Sequence, residues 1–72
     1  MRTLEYPRAR REILRLGLRP TERSYVAQRP DGSLRALSAS LRRQMVVMVA
    51  EGCWPGFQVD PRGRIVRTEE PR

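Results

Sequence analysis

The chain has 72 residues, about half the commonest domain size, so we expect residues 1–72 to form a single domain around one hydrophobic core. Fifteen basic residues, all arginine, stand against eight acidic ones, which gives a formal net charge of +7. Codon bias accounts for arginine in place of lysine but not for the surplus of charge. Such a surplus attracts polyanions, so we expect nucleic acid, DNA or RNA, or an acidic surface of a larger protein as the partner.

Composition also argues against several functional classes. The chain has no histidine and one cysteine, Cys53, which leaves no intrachain disulfide, no ordinary zinc ligand set and none of the usual general bases. We expect Cys53 to be a small buried apolar residue. The longest apolar run, Met45 to Ala50, is too short to cross a bilayer, and residues 1–7 lack the apolar core of a secretory signal. We therefore expect a cytoplasmic, non-enzymatic binding protein without cofactor, metal or membrane partner.

The first element is a predicted amphipathic helix from Pro7 to Leu16, since proline suits an opening turn and Gly17 suits the residue after the end. Its spacing separates an apolar face from a basic face. The apolar face consists of Ala9, Ile13 and Leu16. The basic face consists of Arg8, Arg11 and Arg15, and Glu12 lies between them, able to pair with Arg8 or Arg15.

A hairpin follows the connector Leu18 to Arg23. Ser24 to Gln28 has strand-forming residues, and Arg29-Pro30-Asp31-Gly32 matches a reverse turn, because proline fixes the second position and glycine supplies a positive φ. We expect Ser33 to Leu37 to return as the partner strand.

A second helix is predicted from Ala39 to Glu51, with Ser38 as its N-cap and Gly52 after its end. Its main apolar face contains Leu41, Met45, Met48 and Val49, and Val46, Val47 and Ala50 spread apolar character around the later turns. A helix this apolar is covered by the core or by another chain. The β-branched valines leave a strand as the alternative interpretation of this run.

The last element is a second hairpin, with strands Phe57 to Asp60 and Arg64 to Arg67 around the turn Pro61-Arg62-Gly63. Alternation along the first strand places Phe57 and Val59 toward the core. Residues 68–72 are expected to be a frayed tail. The predicted fold is a small α+β domain in the order α-β-β-α-β-β, with two antiparallel hairpins packed on a central apolar helix.

The second hairpin resembles, over a short stretch, a DNA-contacting module found beside phage homing endonucleases. The matching residues are Pro55-Gly56-Phe57-Gln58-Val59 and Gly63-Arg64-Ile65. Because a hairpin bounded by proline and glycine with alternating apolar residues shows the same pattern, no function is carried over from this resemblance.

The arginines are the candidate binding residues, and the leading hypothesis is a small basic regulatory protein that binds nucleic acid, or a nucleic-acid complex, through phosphate contacts. Arginines at the surface also serve as a solvated face that keeps a small protein in solution. The residues expected to contact phosphate or an acidic partner are Arg8, Arg11, Arg15, Arg42, Arg43, Arg62 and Arg64.

The competing hypothesis is a protein-binding inhibitor or adaptor, of the kind that phages encode to occupy host machinery. It rests on the apolar second helix, where Val46 and Val47 would form an exposed patch ringed by arginines. Trp54 is a further candidate interface residue or base-stacking residue, although core packing is its more ordinary use. The same apolar excess is compatible with a homodimer.

Overall fold

The computed structural model describes residues 5–68, with side chains from Pro7 onward. It confirms the α+β architecture with two antiparallel hairpins, and it adds one short strand to the predicted order. The elements are α1 (Glu5–Leu16), β1 (Arg19–Pro20), β2 (Val26–Gln28), β3 (Leu34–Ala36), α2 (Ala39–Ala50), β4 (Phe57–Val59) and β5 (Ile65–Arg67). Residues 69–72 of the predicted frayed tail lie outside the described residues.

Helix α1 begins two residues earlier than predicted, with Pro7 in its first turn, where the missing N–H has no intrahelical partner in any case. It ends in a Schellman motif. The N–H of Gly17 donates to the carbonyl of Leu14, and the N–H of Leu18 donates to the carbonyl of Ile13, each at 3.1 Å. Gly17 has a φ of +67°, which the motif requires at this position.

Helix α2 has both predicted caps. The Ser38 hydroxyl accepts a hydrogen bond from the Leu41 N–H at 3.2 Å, and the helix begins at Ala39. It ends one residue before the predicted end, with Glu51 as C-cap and Gly52 in the left-handed conformation. The Cys53 N–H donates to the Met48 carbonyl at 3.0 Å, which repeats the Schellman motif of α1. The apolar run is therefore helical throughout and not a strand.

The strands form two antiparallel sheets, one ordered β1-β2-β3 and one made of β4 and β5. Strand β1 lies in the predicted connector, where Pro20 is buried and faces Ala27 across the sheet. A two-residue edge strand that contains proline has neither alternation nor a full set of N–H donors, so sequence patterning does not reveal it.

The two hairpin loops have the same geometry. In the first loop the Arg29 N–H donates to the Ser33 carbonyl at 2.8 Å, and in the second the Asp60 N–H donates to the Arg64 carbonyl at 2.9 Å. An aspartate stabilises each loop locally. Asp31 accepts from the backbone N–H and hydroxyl of Ser33, and Asp60 accepts from the backbone N–H groups of the second loop.

One core joins both helices and both sheets, and α2 lies at its centre. Met45 and Met48 of α2 and Ile13 of α1 are fully buried. The remaining core residues are Leu18, Ala27, Leu37, Val49 and Phe57. Within the described residues, neither helix has the length and apolar content needed to cross a membrane.

Candidate functional site

The basic face of α1 is exposed as predicted, but its arginines are not equivalent. Arg15 pairs with Glu12, with 2.9 Å between Nη2 and Oε1. Arg8 and Arg11 form no ion pair with any carboxylate of residues 7–68, whose side chains the structure describes. Arg8 lines a groove with Ala9 and Glu12 of α1 and with Ser40 and Leu41 of α2. The next two residues of α2, both arginines, line a separate groove. The structure therefore brings unpaired positive charge from α1 to the first turns of α2.

Arg42 is held in place and Arg43 is free to reach outward. The guanidinium carbon of Arg42 lies 5.0 Å from the centre of the Tyr25 ring, which is a cation–π geometry. The Arg42 Nε is buried and has no hydrogen-bond partner among the described residues. Arg43 is exposed and forms no ion pair within residues 7–68.

These two arginines lie on a groove of about 250 Å³, which we call the Tyr25 groove. Val47 is 41% exposed and Tyr25 is 51% exposed, so the groove presents apolar surface together with positive charge. Its lining consists of Tyr25, Ala39, Arg42, Arg43, Val46 and Val47.

Tyr25 has an unusual backbone conformation. Its φ is +64°, and it is the only residue other than glycine with a positive φ in the described part of the chain. Aromatic residues rarely adopt this region, because the Cβ crowds the backbone. The Tyr25 carbonyl accepts a hydrogen bond from the Leu37 N–H at 2.7 Å, which closes the first hairpin and fixes the residue. Conformational strain of this kind concentrates at functional sites.

Arg62 and Arg64 lie on the loop of the second hairpin, and neither lines the two grooves that hold the other basic candidates. The Arg64 Nε is 3.6 Å from a carboxylate oxygen of Asp60. Backbone N–H groups and the nearby Arg64 charge lower the pKa of Asp60 below its ordinary value. Arg62 is exposed and unpaired within the described residues.

Two further arginines are drawn into ion pairs elsewhere. Arg10 meets Glu51 at 2.8 Å, and that hydrogen bond raises the pKa of Arg10 above its ordinary value. Arg67 pairs with Glu22 at 3.2 Å, and its guanidinium lies over the Phe57 ring. The other arginines of residues 7–68 form no ion pair, and they include Arg19, Arg23, Arg29 and Arg35 of the connector and first hairpin.

The candidate interface residues differ in exposure. Val47 is exposed and Val46 is half-buried, whereas Trp54 is partly buried and packs against the core. The sequence indicates Trp54 as a candidate base-stacking aromatic, but Tyr25 is the exposed aromatic that lies beside arginine on an open groove. No residue pattern marks Tyr25, because its position depends on a left-handed backbone that glycine or asparagine would ordinarily signal.

The expectation of a buried Cys53 is wrong, since the residue is exposed. It follows the glycine of the second Schellman motif, where its backbone bonds to the helix end and its side chain points away from the core. Its sulfur lies 3.9 Å from Nη2 of Arg10. Among residues 5–68, no cluster of three histidine, cysteine, aspartate or glutamate side chains is placed to hold a metal ion.

No protein-family model matches the chain, and no curated protein or solved structure matches it significantly. Inferences about its function therefore depend on the charges and grooves described above.

Proposed function

We propose that the protein is a small, non-enzymatic regulator that binds nucleic acid, alone or within a larger complex, through arginine–phosphate contacts at the start of α2. The observation that carries the proposal is that two grooves along the first turns of α2 both contain arginine, one with Arg8 and the other with Arg42 and Arg43. By contrast, four other arginines form ion pairs with carboxylates. We call Arg8, Arg42 and Arg43 the basic end.

Three physical effects add at the basic end. The N-terminus of a helix carries a partial positive charge and unsatisfied N–H groups, both of which favour an anion. The first turn of α2 contains no acidic residue that would cancel this field. Guanidinium groups match a phosphate with two parallel hydrogen bonds, which a compact ammonium group does not.

The other sequence candidates extend the proposed surface. Arg11 lies on the outer face of α1 and is exposed, so it can contact a further phosphate of a nucleic-acid strand bound at the basic end. Arg15, Arg62 and Arg64 are assigned weaker roles, because two of them are paired with acids and all three lie outside the grooves. A cytoplasmic location and the absence of a cofactor stay predictions that accompany this proposal.

The test is fluorescence anisotropy of a labelled oligonucleotide as salt rises from about 50 to about 200 mM, where each phosphate contact contributes about 0.7 to 0.9 to the log–log slope. The matched pair of variants is Arg43→Glu and Arg62→Glu, which change net charge equally at two exposed positions. We expect Arg43→Glu to weaken binding about tenfold and to flatten the slope by roughly one contact. Arg62→Glu should have a much smaller effect.

Equal losses from the two variants would mean that net charge alone drives binding, and the basic end would lose its assignment. If the wild-type protein binds no oligonucleotide at about 50 mM salt, nucleic-acid binding itself is rejected.

The protein-binding alternative is favoured by a different observation, the 41% exposure of Val47 beside the half-exposed Tyr25. Apolar surface ringed by arginine is typical of protein interfaces. Val47→Asp distinguishes the two functions. It should abolish binding to a protein partner that covers the patch, whereas the slope of the salt dependence for oligonucleotides should change by about one charge at most.

A further inference from the structure

Tyr25 and its groove are not explained by phosphate binding, because a phosphate needs cations and N–H donors and has no use for an aromatic ring. Tyr25 as a whole is 51% exposed, although one guanidinium already lies over its ring. The chain keeps this ring at a position whose backbone disfavours every residue except glycine, asparagine and aspartate. A ring retained there against its conformational cost points to a partner that uses its flat face.

We infer that the Tyr25 groove takes one unstacked base of a single-stranded nucleic acid, so that the protein prefers single strands to duplex. This inference rests on the proposed function, since the same basic end would hold the flanking phosphates. Proteins that bind single strands combine a positively charged track with aromatic rings on which bases stack. The groove has both components, because the Tyr25 ring lines it together with Arg42 and Arg43 of α2.

The chemistry of the lining matches a base in three respects. Tyr25 provides an aromatic face, and the Val46 and Val47 side chains provide an aliphatic wall against which the edge of a flat ring packs. The guanidinium carbon of Arg42 lies 5.0 Å from the centre of the Tyr25 ring, so a cation already lies beside the place where a base would bind. Arg43 is unpaired within residues 7–68 and is long enough to reach the adjoining phosphate.

Size and accessibility favour a single unpaired base. The groove volume of about 250 Å³ lies below the roughly 300 to 1,000 Å³ of pockets that enclose a whole small ligand. A groove of this size is suited to one base of a longer nucleic acid. In a duplex the base faces are stacked on each other, and exposing one costs a few kcal/mol. An acidic polypeptide would pair with Arg43 but would leave the tyrosine face without a matching group.

The experiment compares three probes of equal length, about twelve nucleotides: oligothymidine, an abasic strand with the same phosphates, and a duplex. Stacking of one base on an aromatic ring changes affinity by about tenfold. We therefore expect the wild-type protein to bind oligothymidine about tenfold more tightly than the abasic strand, with equal salt slopes, because stacking releases no counterions. The duplex should also bind more weakly than oligothymidine.

The key variant is Tyr25→Asn, because asparagine tolerates a positive φ and so removes the ring without adding backbone strain. It should lose the preference for oligothymidine over the abasic strand, while Tyr25→Phe should keep it. The control is Leu34→Asn, which alters an equally exposed side chain, 51%, on the neighbouring hairpin strand and should change nothing. Circular dichroism and thermal melting verify that all three variants are folded.

The outcomes separate the inference from the function on which it rests. If oligothymidine and the abasic strand bind equally, or if Tyr25→Asn and Tyr25→Phe behave alike, the base site is wrong while phosphate binding stands. Poly-glutamate and unlabelled oligothymidine can also be compared as competitors of the labelled oligothymidine. If poly-glutamate is equally effective, the groove recognises negative charge alone, and an acidic protein becomes the better-supported partner. If no probe binds, the proposed function fails first.

Discussion

The two halves of the molecule, residues 5–37 and residues 39–68, are built on one plan. Each half is a helix that ends in a Schellman motif with glycine, followed by a hairpin with a five-residue loop. Each hairpin is also closed in the same way. The Leu37 N–H donates to the Tyr25 carbonyl at 2.7 Å, and the Thr68 N–H donates to the Gly56 carbonyl at 2.9 Å.

The halves differ at the residue whose carbonyl accepts this hydrogen bond, and each residue type stands where the backbone preference would favour the other. Tyr25 has a positive φ, where glycine would be less strained, whereas Gly56 does not have a positive φ and has nothing within 4 Å of an added Cβ. The same backbone hydrogen bond is thus accepted in the first hairpin by a strained aromatic residue, and in the second by a glycine with no backbone strain and no side chain. The strained closure is the one that borders the Tyr25 groove, and the other lining residues of that groove come from α2 in the second half.

The two helix-ending glycines provide the strongest test of this comparison. Both have a positive φ, so alanine at either position costs about 1 to 2 kcal/mol. Only at Gly17 would the new Cβ also lie 2.8 Å from a ring carbon of Pro30, which cannot swing away. We expect Gly17→Ala to lower the free energy of unfolding clearly more than Gly52→Ala, as measured by urea denaturation. Equal losses would show that the contact between α1 and the first loop relaxes freely.

The strain at Tyr25 is measured by comparing two truncations. Tyr25→Gly and Tyr25→Ala both remove the ring, but only alanine keeps a Cβ in the left-handed region. We expect Tyr25→Gly to be more stable than Tyr25→Ala by about 1 kcal/mol. At Gly56, alanine should be neutral or slightly stabilising, because no positive φ and no close contact oppose it. If glycine and alanine were equal at position 25, the closure would not be strained.

The smallest effect concerns the two loop aspartates, which the halves share. Hydrogen bonds from Ser33 lower the pKa of Asp31, and backbone N–H groups of Arg64 and Arg62 lower the pKa of Asp60. A lowered pKa in the folded state stabilises the fold above the unfolded value of about 3.9, and this contribution is lost as pH falls through the folded value. Stability should therefore decline below about pH 4, and Asp31→Asn with Asp60→Asn should flatten that decline. Melting curves between acidic and neutral pH measure it.

Much of the fold was predictable because glycine, proline and serine mark its boundaries directly. Ser38, Gly17 and Gly52 placed the helix ends within two residues, and the two loops with proline and glycine placed both hairpins. Strand β1 was missed, because its existence depends on pairing with β2 and not on its own two residues.

The site was less predictable than the fold. The candidate arginines were identified, and the local pair of Glu12 with Arg15 was within reach of the sequence, but the pairs of Arg10 with Glu51 and of Arg67 with Glu22 join residues far apart in sequence. The groove depends on Tyr25 meeting Arg42 across the fold, and the outward direction of Cys53 depends on the helix-ending motif. Local patterns carry no information about such long-range encounters.

The exposed cysteine has a practical consequence. Cys53 is the only thiol of the chain and follows the C-terminal end of α2, whereas the Tyr25 groove lies along the first two turns of that helix. A maleimide dye attached there would report on ligand docking by energy transfer without occupying the groove. Unless a reductant is present, the same thiol will join two molecules covalently, and an oligonucleotide titration would then give an apparent valence of two.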